Sequence, residues 1–394
     1  MEDLLYLVHR IPFPPDKGDK IRSYHLLKHL AKRYRVHLGA FIDDPEDWRH
    51  EATLCGMCAS VLLCPLDPRK AKLRSLLGFM TGEALSLPYY RDAAMAAWVN
   101  GKLGEGIRST VVYSSVMAQY VMRATGTRVM DFVDMDSDKW RQYAASKSWP
   151  MSAIYRREGK LLLDWERRVA AEFDAGLFVS EREAADFSAA APEVAGRIGW
   201  YNNGVDTDYF SPEREYENPY APGETAIVFT GAMDYWPNAD AVEWFAKEIL
   251  ARVRQARPDA KFTIVGSRPT PAVHTLAQDP AVRVTGRVPD VRPYLAHAAV
   301  VVAPMRIARG VQNKVLEGMA MARPVVVSPQ GYEGLSAKPD EELLLAGQAD
   351  AFAAATLAAL DRPDLGPRAR QRVLEDYAWD SCLARVDQLL ESPA

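Results

Sequence analysis

The segment from Ala303 to Leu335 holds the densest group of residues that could bind an anion. An apolar run that predicts a strand ends at Ala303, a loop containing a glycine follows, and a helix is predicted to begin near Val311. Backbone N–H groups at the start of a helix favour negative charge, and neighbouring cations add to this effect. The sequence therefore predicts a diphosphate-binding loop, formed by the backbone of Gly310, Val311, Gln312 and Asn313 and by the charges of Lys314, Arg306 and Arg309.

Lys314 and Glu317 are three residues apart, so they share one face of this predicted helix. A cation for phosphate and a carboxylate for ribose hydroxyls would then reach the same ligand. The alternative is that the two side chains form an ordinary ion pair on a solvated helix surface. Both interpretations are compatible with the spacing.

Short apolar runs alternate with helical patterns in two series that could position these residues. Strands are predicted at 4–8, 36–41, 61–66, 111–114, 129–132, 177–180 and 198–203, and then at 226–230, 262–265, 282–285, 300–303 and 324–328. This alternation is typical of parallel sheets with crossover helices, whose ligands bind at the carboxyl ends of the strands. A chain of 394 residues is long enough for two domains. We predict an α/β protein with two doubly wound, Rossmann-like domains, 1–208 and 209–372, and a C-terminal helical segment, 373–394, that either closes the second domain or packs back on the first.

Composition and motifs argue against several classes of function. The 48 Lys and Arg residues against 52 Asp and Glu give a net charge of -4, so there is no basic surplus for nucleic acid. No run approaches the about 18 uninterrupted apolar residues of a spanning helix, and the acidic N-terminus is unlike a secretory signal, so we expect a cytoplasmic protein. The sequence has no GxxxxGK and no GxGxxG motif, which argues against kinase, ATPase and NAD-dependent chemistry.

Cys55, Cys58 and Cys64 form a superficially zinc-like cluster with His50. A predicted helix at 45–59 and a predicted strand at 61–65 would separate the thiols. We therefore interpret the cysteines as small buried hydrophobic residues and predict no metal.

Several segments, in the same order, resemble family 4 (group 1) glycosyltransferases of the GT-B fold. The donor-site signature of that family is similar to GVQNKVLEGMAMARPVVVS at 310–328, and its interdomain element is similar to YNNGVDTDYFSP at 201–212. FTGAMDYWPN at 229–238, FTIVGSRP at 262–269 and VTGRVPDVRPYLAHAAVVVAP at 284–304 resemble its donor-domain strands and turns, and PFPPDKGDKIRSYHLLKHLA at 12–31 resembles its opening loop. Together with DFVDMDSDKW at 131–140, the signature looks like a subgroup associated with exopolysaccharide and exosortase gene clusters.

This resemblance implies a GT-B architecture, in which two Rossmann-like domains face a central cleft. It implies transfer of a sugar from a nucleoside-diphosphate sugar, of UDP or GDP type, to a hydroxyl of a glycan or lipid-linked glycan, with retention at the anomeric carbon and without a cofactor. It places Glu317 against the donor ribose, and Gly231, Gly266 and Arg287 in the donor site. Because no carboxylate is placed as a nucleophile, we expect a front-face route with an oxocarbenium-like transition state.

Two features of the family's commonest pattern are missing. Arg309 stands where the first of two glutamates is usual, and Gly231 is followed by AMDYWPN rather than by an arginine and a lysine. Other cations must then neutralise the leaving diphosphate. The candidates are Arg306, Arg309 and Lys314, with Lys17, Lys20 or Arg22 from the first domain.

Several polar residues follow predicted strands of the first domain and form the predicted acceptor side. Gly18, in the loop after the first strand, could let backbone approach the donor phosphates or could be an ordinary turn glycine. Asp134 is the candidate base for the acceptor hydroxyl, whereas Asp136 or Ser137 could instead cap the next helix. The DxD spacing also resembles a metal motif of another glycosyltransferase fold, but it lies in the wrong domain for this donor site. The predicted acceptor-side residues are His9, Ser114, Asp134 and Asp136.

Two other functions fit the same architecture. A nucleotide-sugar epimerase would need acid and base groups around the sugar but no acceptor. A non-catalytic GT-B subunit that binds a glycan or a partner is suggested by the absent glutamate at position 309.

Residues 69–81, RKAKLRSLLGFMT, combine four cations with five large apolar residues and no acid. This composition is typical of an interfacial amphipathic segment. It predicts peripheral contact with the inner face of a membrane. The alternative is a helix that covers the first domain.

Overall fold

The chain forms two compact units in a computed structural model that describes residues 1–15, 18–145, 147–308 and 310–391. Unit 1 contains Met1–Asn202 and the residues from Leu383 onward, and unit 2 contains Asn203–Cys382. The change of unit at 202–203 lies inside the segment 201–212 that resembles an interdomain element, and before the predicted boundary at 208. The C-terminal residues of unit 1 are held by ion pairs of Asp387 with His29, at 3.0 Å, and with Arg33, at 2.7 Å.

Each unit is built around a parallel sheet. The described strands of unit 1 are β1 Asp3–Val8, β2 Arg35–Ile42, β3 Ser60–Pro65, β4 Ser109–Tyr113, β5 Thr127–Val133, β6 Ala175–Phe178 and β7 Ile198–Trp200. Those of unit 2 are β8 Thr225–Thr230, β9 Ala260–Val265, β10 Val282–Gly286, β11 Val300–Ala303, β12 Val325–Val327 and β13 Leu344–Leu345.

The strand order reverses once in each sheet, and it is the same in both apart from one additional strand at the end of the unit 1 sheet. Unit 1 has the order β3-β2-β1-β4-β5-β6-β7, and unit 2 has β10-β9-β8-β11-β12-β13. Both follow the Rossmann pattern, in which ligands bind where the order reverses, beyond the carboxyl ends of the strands. The crevices expected from topology therefore lie at β1/β4 in unit 1 and at β8/β11 in unit 2.

Helices cover these sheets. The described α-helices of unit 1 before the change of unit are α1 Gly18–Leu30, α2 Glu51–Met57, α3 Pro68–Ser75, α4 Leu77–Thr81, α5 Ser86–Tyr89, α6 Ala93–Gly104, α7 Asp136–Ala145, α8 Met151–Glu172 and α9 Glu181–Ala190. Those that follow are α10 Trp236–Trp244, α11 Leu250–Ala256, α12 Pro271–Thr275, α13 Arg292–Ala296, α14 Asn313–Ala320, α15 Pro329–Tyr332, α16 Ala349–Leu360, α17 Leu365–Asp376 and α18 Trp379–Glu391. Short 3-10 helices occupy Pro45–His50, Ser115–Tyr120, Pro192–Arg197 and Leu276–Gln278, and a π-helix at Phe245–Ile249 joins α10 to α11.

Local sequence explains most of these boundaries. The central strands of unit 2 are runs of valine, such as β11 and β12, and their side chains are fully buried because helices cover both faces of a parallel sheet. Helices often begin after a residue whose side chain accepts from the first-turn N–H groups, as Asp67 does for α3, Asp92 for α6 and Ser180 for α9. The prediction of two Rossmann-like α/β domains is confirmed.

One predicted boundary is wrong, because helix α1 begins at Gly18, which therefore lies at a helix start and not in the predicted loop. The segment 69–81 is covered by two short helices, α3 and α4. None of the described helices is long and apolar enough to cross a membrane.

A buried ion pair holds α1 against the sheet of unit 1. The Arg22 side chain is fully buried, and its Nε donates to Asp131 Oδ2 at 2.9 Å while Nη2 donates to Oδ1 at 3.1 Å. The Arg22 guanidinium also donates to the carbonyl of Tyr201 at 3.0 Å and lies 3.6 Å from that ring, whose hydroxyl donates to Asp131. Burial opposes the charge of Arg22, but the nearby oxygens of Asp131 and Tyr201 raise its pKa above the usual value. The network ties α1, β5 and the end of β7 together.

Candidate functional site

A pocket of about 630 Å³ lies in unit 2 where the strand order reverses. The ends of β8 and β9 form its floor, and the loop after β10 and the start of α14 form its sides. Eight of the predicted donor-side residues line it together: Gly231, Gly266, Arg287, Val311, Gln312, Asn313, Lys314 and Glu317.

Two glycines let the floor of this pocket form. A Cβ on Gly266 would lie 1.7 Å from the carbonyl oxygen of Gly231, which is far inside contact distance. A Cβ on Gly231 would lie 2.7 Å from Nδ2 of Asn238, which itself donates to the carbonyl of Ala232 at 2.9 Å. Both glycines have positive φ, near +156° and +157°. The loops after β8 and β9 therefore pack backbone to backbone and leave space above them for a ligand.

The start of α14 points charge and polar groups into the pocket. Gln312 precedes the helix, and its side chain makes no cap hydrogen bond. The N–H of Val315 donates to the Gln312 carbonyl at 2.9 Å, whereas the N–H groups before it have no carbonyl of an earlier helical turn to bond to. Gly310 has φ +65°, a left-handed conformation that suits glycine, and it turns the chain into this helix. The helix dipole and these N–H groups favour an anion.

Lys314 and Glu317 are both half-buried at this pocket. Burial lowers the pKa of Lys314 to about 8, against the opposing effect of Glu317. Burial likewise raises the pKa of Glu317, against the effect of Lys314. Lys314 Nζ donates to Oε1 of Gln312 at 3.2 Å and lies 5.5 Å from the centroid of the Phe229 ring. Lys314 and Glu317 are therefore not the fully solvated ion pair on a helix surface that their spacing in the sequence also allowed.

The other predicted cations lie elsewhere. Arg306 is outside the pocket, because its guanidinium is bonded to Asp240, with Nε donating at 2.9 Å, in a separate surface groove beside Trp244. Lys20 and Arg22 are both buried within unit 1, Lys20 on Asp47 at 2.7 Å and Arg22 on Asp131, so each already has a carboxylate partner. Lys17 and Arg309 lie outside the described residues.

Four polar residues of the pocket were not singled out from the sequence. They are Asn203, Thr230, Asn238 and Ser267. All four lie in the quoted segments 201–212, 229–238 and 262–269, so their position after predicted strands could have indicated them. They add hydrogen-bonding groups that suit a polar ligand such as a nucleotide.

A second pocket, of about 740 Å³, lies in unit 1 at the corresponding edge of its sheet. It brings together the predicted acceptor-side residues His9, Ser114, Asp134 and Asp136. Gly18 is at the nearby start of α1, where a Cβ would meet no other atom within 4 Å.

Lys139 organises the carboxylates of this second pocket. Its Nζ lies 2.8 Å from Asp134 and 3.1 Å from Asp136. Burial raises the pKa of Asp136, while Lys139 opposes the shift. Burial also lowers the pKa of His9 to about 4, so that this imidazole is neutral at physiological pH, and the ring stacks on Tyr113. Asp134 thus lines the pocket and has Lys139 as its ion-pair partner, which is compatible with a role as base for the acceptor hydroxyl. That role stays a prediction.

Backbone strain accompanies these residues. Ser114 follows β4 and has a φ of 73°, and Val133 is the last residue of β5 and has a φ of 71°. A positive φ is rare for residues with a side chain and rarest for a β-branched residue such as valine. Asp131 supports both, since its carbonyl accepts from the N–H of Ser114 at 2.9 Å and its carboxylate accepts from the N–H of Val133 at 3.1 Å. The acidic run is therefore divided, with Asp131 supporting the backbone and Asp134 lining the pocket.

Helix α7 begins at Asp136, so Asp136 and Ser137 lie inside its first turn. Both the N–H and the hydroxyl of Ser137 donate to the buried carboxyl of Glu166 on α8, at 3.2 and 2.5 Å. Burial raises the pKa of Glu166 to about 8, although the bonds from Ser137 oppose this. Sequence reasoning missed Glu166 because it is 29 residues away in the chain.

The cysteines are spread over the structure. Cys64 and Cys382 are buried, but Cys55 is exposed, so the interpretation as buried hydrophobic residues is wrong for Cys55. Within the described ranges, no three His, Cys, Asp or Glu side chains lie in an arrangement that could hold a metal ion.

Comparisons with known proteins agree with this architecture. Residues 224–362 match the family described as Glycosyl transferases group 1. The comparison with curated proteins gives no match. Among solved structures, the chain is similar to HepE of Anabaena in complex with UDP, with 14% identity over 99% of this chain and 100% of that chain and a TM-score of 0.63.

Two further solved structures show the same likeness. Sucrose-phosphate synthase of Thermosynechococcus elongatus has 18% identity over 99% of this chain and 98% of that chain, with a TM-score of 0.63. A glycosyltransferase of Rickettsia africae has 11% identity over 99% and 98%, with a TM-score of 0.60. The chain therefore has the two Rossmann-like domains of the GT-B fold, and its residues 224–362 are similar to the group 1 glycosyltransferase family.

Proposed function

We propose that the protein is a retaining glycosyltransferase that moves a sugar from a nucleoside-diphosphate sugar to a hydroxyl of a glycan or lipid-linked glycan. The observation that carries this proposal is the unit 2 pocket, where closely packed glycine loops, the start of α14, Lys314 and Glu317 meet. Anabaena HepE, which shares the fold, has been solved with UDP and with UDP-glucose, and this supports a UDP-type donor.

Each group of the pocket has a role in this proposal. The diphosphate binds at the N–H groups of α14 and beside Lys314, and Glu317 accepts hydrogen bonds from the ribose hydroxyls. During departure the diphosphate gains negative charge, which these preorganised donors stabilise. Arg309, at the position of the usual first glutamate, would add a cation near the donor sugar.

The acceptor is proposed to bind in the unit 1 pocket. Asp134 would receive the proton of the acceptor hydroxyl, and Asp136 and His9 would position that hydroxyl. No described carboxylate is assigned as a nucleophile, so the route is a front-face displacement through an oxocarbenium-like transition state. Catalysis then comes from holding two substrates in place and from stabilising the leaving group.

Incubation with a panel of radiolabelled nucleotide sugars and glycan acceptors tests the proposal. Label on the acceptor is the expected result. Label found only in an interconverted nucleotide sugar would instead show an epimerase. Absence of both reactions, with nucleotide or glycan binding retained, would show a non-catalytic subunit.

The role in exopolysaccharide or cell-surface glycan synthesis, on the cytoplasmic side of a membrane, is part of the same proposal. The segment 69–81 supports membrane contact, because Leu73 and Met80 are 71% and 86% exposed and three of its four cations lie on the surface of α3. Arg74 differs from the others, since it donates to the carbonyls of Pro88 and Tyr89 at 2.7 and 2.6 Å and so holds α5 in place.

Replacing Arg69, Lys70 and Lys72 by glutamate should abolish sedimentation with anionic liposomes. Each basic residue near an anionic surface contributes about 1 kcal/mol to binding, and the three substitutions reverse that attraction. Arg74 is left intact so that the fold of this region is kept. Sedimentation equal to that of the parent would refute membrane contact through this segment.

A further inference from the structure

The unit 1 pocket has one polar end and a long apolar wall. The polar end lies at the strand ends, where Asp134 and Asp136 are paired with Lys139, and Asp19 is paired with Arg10 at 2.7 Å. The apolar wall is formed by helices and β5 through Phe79, Phe132, Trp140, Ile154, Tyr155 and Leu162. A sugar lying along such a wall would leave many of its hydroxyls without hydrogen-bond partners.

The charges at the polar end suit a neutral hydroxyl group. The carboxylates there already have cationic partners, and His9 is neutral because burial lowers its pKa to about 4. The buried Nδ1 of His9 has no hydrogen-bond partner among the described residues. A hydroxyl can both donate and accept, so it would satisfy a carboxylate and this nitrogen together.

The apolar wall continues to an exposed apolar surface. Leu76 and Phe79 line the pocket and are still 52% and 45% exposed, next to Leu73, Leu77 and Met80. At the start of α8, Met151 also lines the pocket, and Trp149, two residues before it, is 80% exposed. The two sides are joined, since Arg157 of α8 donates to the carbonyl of Gly78 at 2.7 Å and lies over the Phe79 ring at 4.8 Å. An exposed apolar surface of this kind is typical of a binding site rather than of a free surface.

We propose that this pocket binds the hydrocarbon chain of an amphipathic, membrane-lipid acceptor, with the acceptor hydroxyl at Asp134 and Asp136. The inference rests on the proposed transfer function and names the acceptor class for it. A hydrocarbon chain matches the wall from Leu162 outward to Phe79, and its far end emerges at the exposed apolar and cationic segment α3–α4. An acceptor embedded in a bilayer could thus enter along its own chain.

Calorimetric titration of the full chain with methyl, hexyl and octyl β-glucosides, all below their micellar concentrations, tests this assignment. Each buried methylene contributes about fourfold in affinity, so octyl glucoside should bind about 15-fold more tightly than hexyl glucoside, and methyl glucoside most weakly. Ile154→Asp places a charge on the wall and should remove the dependence on chain length. Leu73→Asp, on the exposed surface and outside the pocket, should keep it.

Binding of UDP to each variant separates the possible outcomes. Ile154→Asp should bind UDP like the parent, which shows that unit 2 is intact, and its circular dichroism should match that of the parent. Equal affinity for the three glucosides, or a length dependence that survives Ile154→Asp, would overturn the hydrocarbon site while leaving the transfer proposal standing. A parent that binds phenyl glucoside more tightly than octyl glucoside would also overturn it, in favour of an aromatic acceptor. Failure of the parent to bind any nucleotide would count against the proposed function itself.

Discussion

Replacement of Lys314 by alanine is expected to lower the turnover of sugar transfer by about 100- to 1000-fold, because removal of one preorganised donor to a developing anion has effects of this size. Lys314 is half-buried, at the N-terminal turn of α14, where water screens its charge weakly. The leaving diphosphate carries more negative charge in the transition state than in the bound donor. The loss should therefore fall mainly on kcat, with a smaller effect on donor binding.

The pH dependence of this reaction should report the same group. Burial lowers the pKa of Lys314 to about 8, so the free enzyme loses this cation as the pH rises through that value. The kcat/KM for the donor should then fall about tenfold for each pH unit above it, because kcat/KM follows ionisations of the free enzyme. Bound diphosphate favours the protonated lysine, so the corresponding fall in kcat should occur at higher pH.

Two variants control the assignment to Lys314. Lys314→Arg keeps the charge at all these pH values and should lose the alkaline fall in kcat/KM. Lys247→Ala removes an exposed cation of unit 2 that is paired with Glu243, and should leave the kinetics unchanged. Unchanged kcat in Lys314→Ala would contradict the placement of the diphosphate at α14.

Breaking the buried pair of Arg22 and Asp131 should have the largest effect on folding. Arg22→Met leaves the carboxylate of Asp131 in a site that is 1% exposed, without its cation. Loss of one partner of a buried ion pair costs about 3 to 5 kcal/mol, because the remaining charge is uncompensated. Urea denaturation of the variant should show a fall of this size in the free energy of unfolding.

The double variant Arg22→Met/Asp131→Leu distinguishes an unpaired charge from lost packing. It removes both charges, and it should be more stable than Arg22→Met alone, since apolar groups can replace a buried pair with little loss. Arg33→Met, which removes a partly exposed partner of Asp387, should change stability little. A stability of Arg22→Met equal to that of Arg33→Met would show that the buried pair does not support unit 1.

The sheets could be predicted from the sequence because a parallel strand covered on both faces is a continuous apolar run, as in β11 and β12. Strand β13, only two residues long, has no such run. The start of α1 was predicted wrongly because residues 18–22 are mostly polar, a composition that is typical of a loop. Lys20 and Arg22 are buried against Asp47 and Asp131, which lie 27 and 109 residues away in the chain. Local propensity carries no information on such pairings.

Part of the donor pocket could be predicted because some of its residues are positioned locally. Helical spacing alone places Lys314 and Glu317 on one face, and the resemblance supplied Gly231, Gly266 and Arg287. The orientation of Arg306 depends on Asp240, which lies 66 residues away, so the sequence could not show that Arg306 lines a groove separate from this pocket. Nor does the sequence indicate that Asp131 supports backbone while Asp134, three residues later, lines a pocket.

Calorimetric titration of UDP and GDP into the parent, Glu317→Ala and Glu341→Ala tests the central claim, that the pocket at α14 binds the donor nucleotide. A carboxylate bonded to ribose hydroxyls contributes about 1.5 to 3 kcal/mol, so Glu317→Ala should weaken binding of the preferred nucleotide roughly tenfold to a hundredfold. Glu341→Ala, which removes an exposed carboxylate of unit 2, should bind like the parent. Parental affinity in a folded Glu317→Ala protein, shown by an unchanged circular dichroism spectrum, would contradict the donor site proposed here.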